Sequence, residues 1–217
     1  LRAAITADSI TQIDTLVQQL GKTPFVNKEK PTPIDEALSI ITYLRFVYYE
    51  TVGDLFTKIK KTFNNENFQL HEDIIQLGFW PGGDRDGNPF VTAEVTKKVA
   101  YELRSAILKS YYNHLKFVRR RLSFRDVSEI LKDLSEILYD AIFKENDISS
   151  EQILNKIDEA EDILIKHHNG LFLDILYSFK DRVKIFGTHF ATLDIRQDSR
   201  VHQQVIDEVY SKLFPNQ

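Results

Sequence analysis

The sequence predicts a mainly α-helical protein with about one short β-strand. Apolar residues recur every three to four positions through most of the 217 residues, which is the spacing of an amphipathic helix. The pattern changes at 186–195, where Phe-Gly-Thr-His-Phe-Ala-Thr-Leu-Asp-Ile is rich in β-forming residues and too short for such a helix. An apolar fraction of 42 % suffices for a sizeable buried core.

The first long helix is predicted from Ile34 to about Phe63, because one apolar stripe runs through this whole stretch. Pro33 stands at its first turn, where a missing backbone N–H costs nothing. Gly53 interrupts the stripe and indicates either a kink or a close contact with another helix.

Five further helices follow, and local start and stop signals set their bounds. Thr92 is a plausible N-cap, and Ser149 with Gln152 resembles a capping box, of which Ser123 with Asp126 is a looser version. The expected helices are Thr92 to Arg121, one from near Ser123, one from near Ser149 to a stop at Asn169-Gly170, Leu171 to about Val183, and Val201 to Leu213.

The strand at 186–195 needs a partner, because a lone strand cannot satisfy its own backbone groups. We expect that partner outside this sequence, which predicts a fragment of a larger protein. The sequence contains no Met. This fits an excised internal segment, or a sequence from which modified Met residues have been omitted.

Composition excludes several classes of protein. There is no Cys, so disulfides and thiolate chemistry are excluded. No apolar run approaches the roughly 18 to 20 residues that a membrane span needs, and residues 1–8 lack the apolar core of a signal peptide. A net charge of −4 does not suit a nucleic-acid polycation. We therefore expect a cytoplasmic protein that binds neither membrane nor nucleic acid.

Charge is segregated along the chain. Residues 97–125 hold nine Lys or Arg and one Glu, whereas residues 126–162 hold twelve Asp or Glu and three Lys. One interpretation is that antiparallel helices of opposite charge lie side by side. The alternative is a free-standing helical interaction module that binds an anionic partner through the 97–125 basic face.

The segment 78–92 between two long helices, called the signature loop below, has the most unusual composition. Four of the eight Gly residues fall within 78–87, beside the only Trp. A calcium loop would fit Asp84, Asp86 and Asn88, but it requires Gly at Pro89 and Glu at Val95. A phosphate-binding P-loop lacks its Gly-Lys-Ser/Thr ending. A rigid corner held by Asp–Arg pairing and a functional loop both remain open.

Three stretches resemble phosphoenolpyruvate carboxylase and stand in that family's order. Trp-Pro-Gly-Gly-Asp-Arg-Asp-Gly-Asn-Pro-Phe-Val-Thr-Ala-Glu at 80–94 resembles its Gly-Gly-Asp-Arg-Asp-Gly-Asn-Pro signature. Lys-Pro-Thr-Pro-Ile-Asp-Glu-Ala at 30–37 resembles the stretch that opens a long helix in the family. Leu-Asp-Ile-Arg-Gln-Asp-Ser at 193–199, followed by His202, resembles Leu-Asp-Ile-Arg-Gln-Glu-Ser-x-x-His, with Asp198 in place of the usual Glu.

The resemblance implies that residues 1–217 are one helical sector of a larger (β/α) barrel enzyme. That enzyme is a carboxy-lyase that joins bicarbonate to phosphoenolpyruvate, giving oxaloacetate and phosphate with Mg²⁺ or Mn²⁺. The reaction is anaplerotic and feeds the tricarboxylic acid cycle. The implied partners are phosphoenolpyruvate, the rest of the same chain and further copies in a homotetramer.

The resemblance also implies site residues. Arg196, in the strand and arginine segment 186–199, would bind the phosphate of the substrate, since a planar guanidinium suits a phosphate. The alternative is a salt bridge to Asp194 or Asp198. Trp80 would enclose the substrate's methylene group; the alternative is ordinary core packing, and both can hold. The residues of the signature loop that would shape the site are Gly82, Gly83, Asp84, Arg85, Asp86, Gly87, Asn88 and Pro89.

Other parts of the family's active site have no counterpart in this sequence. The Thr-Ala-His-Pro-Thr-Glu segment with the catalytic His is absent, as are the metal-binding carboxylates, the catalytic Lys and the mobile Gly-Arg-Gly-Gly loop. His167, His168 and His189 therefore receive no catalytic role. We expect no catalytic residue and no metal ligand here, and no activity from the chain alone.

Overall fold

The computed structural model describes residues 9–23, 30–63, 74–86 and 88–214. Helices dominate these ranges, and the mainly helical prediction is confirmed. In chain order the elements are α1 (Ile10–Lys22), α2 (Pro33–Tyr43), a π-helical segment (Leu44–Tyr48), α3 (Tyr49–Thr62), β1 (Gly78–Phe79), α4 (Ala93–Arg121), α5 (Arg125–Phe143), α6 (Ser150–His168), α7 (Leu173–Phe186), β2 (Thr192–Leu193) and α8 (Ser199–Leu213).

The chain divides into two compact units, residues 1–32 and residues 33–217. The described part of the first unit is mainly α1, which the sequence analysis did not predict. This helix is amphipathic, with Ile10, Ile13, Val17 and Leu20 at helical spacing. The backbone N–H of Thr23 donates to Leu20 O at 3.2 Å and closes its end.

The first predicted long helix is confirmed as a continuous helical stretch from Pro33 to Thr62. Its interruption lies at the π-helical segment 44–48 and not at Gly53. Gly53 instead marks a close contact, because a Cβ there would lie 2.5 Å from Arg182 Nε on α7.

Of the three N-terminal caps predicted for the later helices, two are confirmed and one is wrong. Thr92 caps α4, with its side chain accepting a hydrogen bond from Val95 N. The Ser149 capping box forms: Gln152 N donates to Ser149 Oγ at 3.1 Å, and Ser149 N donates to Gln152 Oε1 at 2.9 Å. The looser capping box predicted at Ser123 is wrong, because Phe124 is the N-cap of α5 and its side chain makes no capping hydrogen bond.

The core of the second unit lies between α4, α5, α6 and α7, which pack against one another in sequence order, while α2 and α3 cover one side. Each of these four helices contributes fully buried aliphatic or aromatic side chains. Examples are Leu115, Val118, Leu131, Leu138, Ile153, Leu164 and Phe179.

The charge segregation corresponds to neighbouring helices. The basic residues lie mostly on α4, and the acidic ones on α5 and on α6, with α4 packed against α5. Arg104 Nη2 on α4 lies 2.8 Å from Asp147 Oδ1 in the α5–α6 connection. The side-by-side interpretation is confirmed, and an anionic partner for the 97–125 face stays a prediction.

The predicted strand at 186–195 is shorter than expected. The helix α7 continues to Phe186, and Gly187 ends it with φ 55°. Phe186 and Phe190 are both buried, so packing holds this part of the chain against the core and overrides its β-propensity. Only Thr192 and Leu193 form β2.

The partner of β2 lies inside the chain, so the expectation of an outside partner is wrong for this pair. The strands β1 and β2 are parallel, with Gly78 opposite Thr192 and Phe79 opposite Leu193. A two-residue strand is too short to show an alternating pattern, and β1 was therefore not predicted. Among the helices described above, none is both long and apolar enough to cross a membrane.

Candidate functional site

The signature loop and the Arg196 segment are joined through their backbones. The signature loop continues from β1, and residues 194–199, called the Arg196 segment below, follow β2, so both leave the parallel pair at the same edge. Arg196 N donates to Gly83 O at 3.0 Å, and Arg85 N donates to Arg196 O at 2.9 Å, which makes a parallel bridge between Asp84 and Arg196. Residues distant in sequence thereby lie side by side.

Two glycines of the loop lie so close to neighbouring residues that a larger residue would not fit at either position. Gly82 has φ 78°, and a Cβ there would lie 2.5 Å from Val99 Cγ2 on α4. A Cβ on Gly83 would overlap the backbone oxygen of Asp194. The turn itself closes by hydrogen bonds from Gly83 N and Asp84 N to Trp80 O, at 2.9 and 3.1 Å. Gly87 lies outside the described residues.

Local hydrogen bonds hold the polar side chains of the loop. Asp84 Oδ1 accepts from Asp86 N at 3.3 Å, and Asn88 Oδ1 accepts from Phe90 N at 3.1 Å. Arg85 Nη2 donates to Thr96 Oγ1 on α4 at 3.0 Å, and Arg85 Nε is buried without a hydrogen-bond partner. The alternative of a corner held by Asp–Arg pairing is therefore not seen for Arg85 in the described part of the loop, where its guanidinium bonds to a threonine instead.

The guanidinium of Arg196 lies over the indole of Trp80, with Cζ 5.8 Å from the ring centroid. Trp80 is 57 % exposed, so it is not packed in the core that the described residues form. Arg196 Nη2 is 3.5 Å from Asp194 Oδ2, and both side chains are 54 % exposed. Such an exposed, long ion pair contributes little energy and leaves the guanidinium accessible to a ligand.

Asp198 does not pair with Arg196. Its carboxylate accepts from Arg200 Nη2 at 2.8 Å and from Arg200 Nε at 3.1 Å. These side-chain bonds, together with the backbone N–H of Arg200, lower the pKa of Asp198. The alternative of a salt bridge from Arg196 to Asp198 is therefore wrong, and the contact of Arg196 with Asp194 is long.

A groove of about 240 Å³ adjoins the loop, and Glu36, Trp80, Asp84 and Asp86 are among its lining residues. Across residues 9–23, 30–63, 74–86 and 88–214, no group of three or more His, Asp or Glu side chains is arranged to hold a metal ion. These described residues therefore offer no cluster that fits the Mg²⁺ or Mn²⁺ that the family resemblance implies.

Thr96 is a component of the site that the sequence analysis missed. Its hydroxyl contacts both Gly82 and Arg85, although it lies in the first turn of α4 rather than in the loop. A threonine four residues after the N-cap Thr92 looks like an ordinary helix residue. Only the tertiary contact between α4 and the loop reveals its position.

Comparison with known proteins agrees with the three motifs. The family described as phosphoenolpyruvate carboxylase matches residues 2–149 and 140–216. A phosphoenolpyruvate carboxylase of Shewanella sediminis is 30 % identical over 233 aligned residues, covering 89 % of this chain and 26 % of the relative. Those of Aeromonas salmonicida and Vibrio parahaemolyticus are 26 % and 28 % identical and cover 92 % and 91 % of the chain.

The chain spans about a quarter of the length of these relatives. The matched residues include the signature loop, the Arg196 segment and both strands that bring them together. On this evidence of sequence, the chain belongs to the phosphoenolpyruvate carboxylase family.

Proposed function

We propose that the chain is part of an enzyme that carboxylates phosphoenolpyruvate with bicarbonate to give oxaloacetate and phosphate. The observation that carries this proposal is the position of Arg196. Its backbone is fixed between Gly83 and Arg85, while its guanidinium is half-exposed over Trp80. A positioned, accessible guanidinium beside an apolar ring suits a substrate with a phosphate at one end and a methylene group at the other.

In the proposed reaction bicarbonate attacks the substrate phosphorus, and the bond from phosphorus to the enol oxygen breaks. This step gives carboxyphosphate and the enolate of pyruvate. Carboxyphosphate then releases carbon dioxide and phosphate, and the enolate carbon attacks the carbon dioxide. Arg196 would hold the phosphate throughout, and Trp80 would keep water from the enolate carbon.

The divalent metal of the family would be held by residues of the parent enzyme other than those described here, since these offer no suitable cluster. The rest of the parent chain would also cover α8. This helix has no buried residue, and its exposed apolar side chains include Val205, Ile206, Val209 and Leu213. The homotetramer and the cytoplasmic location stay predictions.

The test is Arg196→Ala in the full-length enzyme, with Arg200→Ala as the matched control. Arg200 is close in sequence, is exposed and pairs with Asp198. Loss of a charged phosphate contact should raise the KM for phosphoenolpyruvate at least about tenfold. The control should stay within about twofold of the parent enzyme. An unchanged KM in Arg196→Ala would show that Arg196 only pairs with Asp194.

A further inference from the structure

We infer that Thr96 is a positioning residue for Arg196, acting through the signature loop. The inference rests on the proposed function, because it assigns Thr96 to the same substrate site. Thr96 itself is only 8 % exposed and does not touch the Arg196 side chain through any hydrogen bond in the described structure. Its effect must therefore pass through the residues that it holds.

The Thr96 hydroxyl links two loop residues. Oγ1 lies 2.7 Å from Gly82 O, 3.1 Å from Thr92 O and 3.0 Å from Arg85 Nη2. A hydroxyl has one proton to donate and lone pairs to accept. The shortest contact indicates that it donates to Gly82 O, and it accepts from the Arg85 guanidinium.

These two loop residues flank the backbone that holds Arg196. Gly82 precedes Gly83, whose carbonyl accepts from Arg196 N, and Arg85 N itself donates to Arg196 O. Val99, one turn further along α4, also packs directly against Gly82. The start of α4 therefore fixes the loop on both sides of the bridge to Arg196.

Removal of the hydroxyl would leave two groups unsatisfied. Gly82 O is buried and would lose its bond to Thr96, while the Arg85 guanidinium, whose Nε already lacks a partner, would lose its hydrogen bond as well. Unsatisfied buried polar groups are costly, and the loop would shift to expose them to water. Arg85 N would then move away from Arg196 O, and the guanidinium of Arg196 would lose its fixed position.

The test uses Thr96→Val and Thr96→Ser in the full-length enzyme. Valine keeps the shape and removes the hydroxyl, whereas serine keeps the hydroxyl. We expect Thr96→Val to raise the KM for phosphoenolpyruvate at least about fivefold with kcat within about twofold, and Thr96→Ser to restore the KM to within about twofold. A merely structural role would lower the melting temperature without this difference in KM.

Thr57→Val is the matched control, since Thr57 also lies in a helix, is partly buried and donates its hydroxyl to a backbone carbonyl, Gly53 O, at 2.9 Å. Its KM should equal that of the parent. If Thr96→Val folds poorly, Arg85→Met tests the same bond from the other end. It should also raise the KM, and the double variant should fall short of the sum of the two single effects, because each single change removes the same Arg85–Thr96 bond.

The outcomes separate the two proposals. A normal KM in Thr96→Val, together with a raised KM in Arg196→Ala, would overturn the positioning role and leave the proposed function standing. A normal KM in Arg196→Ala would overturn the role of Arg196 in binding the phosphate, and a full-length parent enzyme that forms no oxaloacetate from phosphoenolpyruvate and bicarbonate would overturn the proposed function itself. Fully additive effects in the Thr96→Val/Arg85→Met double variant would show that the Arg85–Thr96 bond does not contribute to the KM and would overturn positioning through Arg85.

Discussion

The guanidinium of Arg182 on α7 lies directly against Gly53 on α3. Arg182 is 2 % exposed, and its nitrogens donate to Glu50 Oε2 at 2.9 Å, Asp54 Oδ1 at 3.1 Å and Ser178 Oγ at 2.6 Å. A Cβ on Gly53 would come within 2.5 Å of Nε. The two helices can therefore approach and share this arginine only where α3 has no side chain.

Gly53→Ala should destabilise the protein by about 2 kcal/mol, because the added methyl group overlaps a guanidinium that several bonds hold in place. The expected result is a lower melting temperature of the full-length protein, measured by differential scanning fluorimetry. The preference of Ala over Gly in a helix opposes this loss by about 1 kcal/mol and does not cancel it.

Gly21→Ala is the control for that measurement. Gly21 also lies in a helix, α1, and a Cβ there has nothing within 4 Å. The substitution should leave the melting temperature unchanged or raise it slightly. If both variants behave alike, the Arg182 side chain moves aside and the close contact has no energetic consequence.

His114 on α4 should make stability depend on pH in mildly acidic solution. Burial, followed by the charge of Arg182, lowers its pKa to about 4, although Asp54 opposes the change. Between pH 6.5 and about pH 4 the unfolded chain takes up a proton that the folded chain does not. Stability should fall through this window by up to about 1.4 kcal/mol per pH unit.

The measurement compares the melting temperatures of the parent protein and His114→Gln from pH 7 to pH 4. The variant loses the contact of His114 Nδ1 with Tyr49 Oη at 3.0 Å and is expected to be less stable at pH 7. The difference in melting temperature between the parent and the variant should narrow as the pH falls, because Gln does not titrate. Parallel curves for the two proteins would contradict the prediction.

Much of the helical architecture could be predicted because its signals are local. Amphipathic spacing, the Thr92 cap, the Ser149 capping box and the Asn169-Gly170 stop all act within a few residues of the chain. The stop is confirmed by Asn169, which adopts a left-handed conformation with φ 51°. The shortened strand shows where local signals do not suffice to predict structure, since burial of Phe186 and Phe190 depends on the whole core.

The candidate site, too, could be predicted only in part. The composition of the signature loop singled it out, and the Arg196 segment was found by resemblance. The pairing of β1 with β2, which brings them together, rests on two residues in each strand and gives no periodic signal. Thr96 was missed because its contacts with Gly82 and Arg85 exist only after α4 and the loop have packed together.

Gly83→Ala should impair the proposed enzyme. Its Cβ would overlap Asp194 O, so the loop and the Arg196 segment would have to separate, and the bond from Arg196 N to Gly83 O would weaken. We expect kcat/KM in the full-length enzyme to fall at least about tenfold. Gly78→Ala, where a Cβ has nothing within 4 Å, is the control and should keep normal kinetics. Equal kinetics for both variants would show that this backbone approach is not needed for catalysis.

The isolated 217-residue chain should form no oxaloacetate from phosphoenolpyruvate and bicarbonate with Mg²⁺ or Mn²⁺. The described residues offer no cluster of metal ligands, and the sequence lacks the family's Thr-Ala-His-Pro-Thr-Glu segment. Trp80 is also 57 % exposed, so water would reach an enolate held beside it. The full-length enzyme under the same conditions serves as the positive control. Metal-dependent formation of oxaloacetate by the isolated chain would show that these 217 residues contain a complete active site.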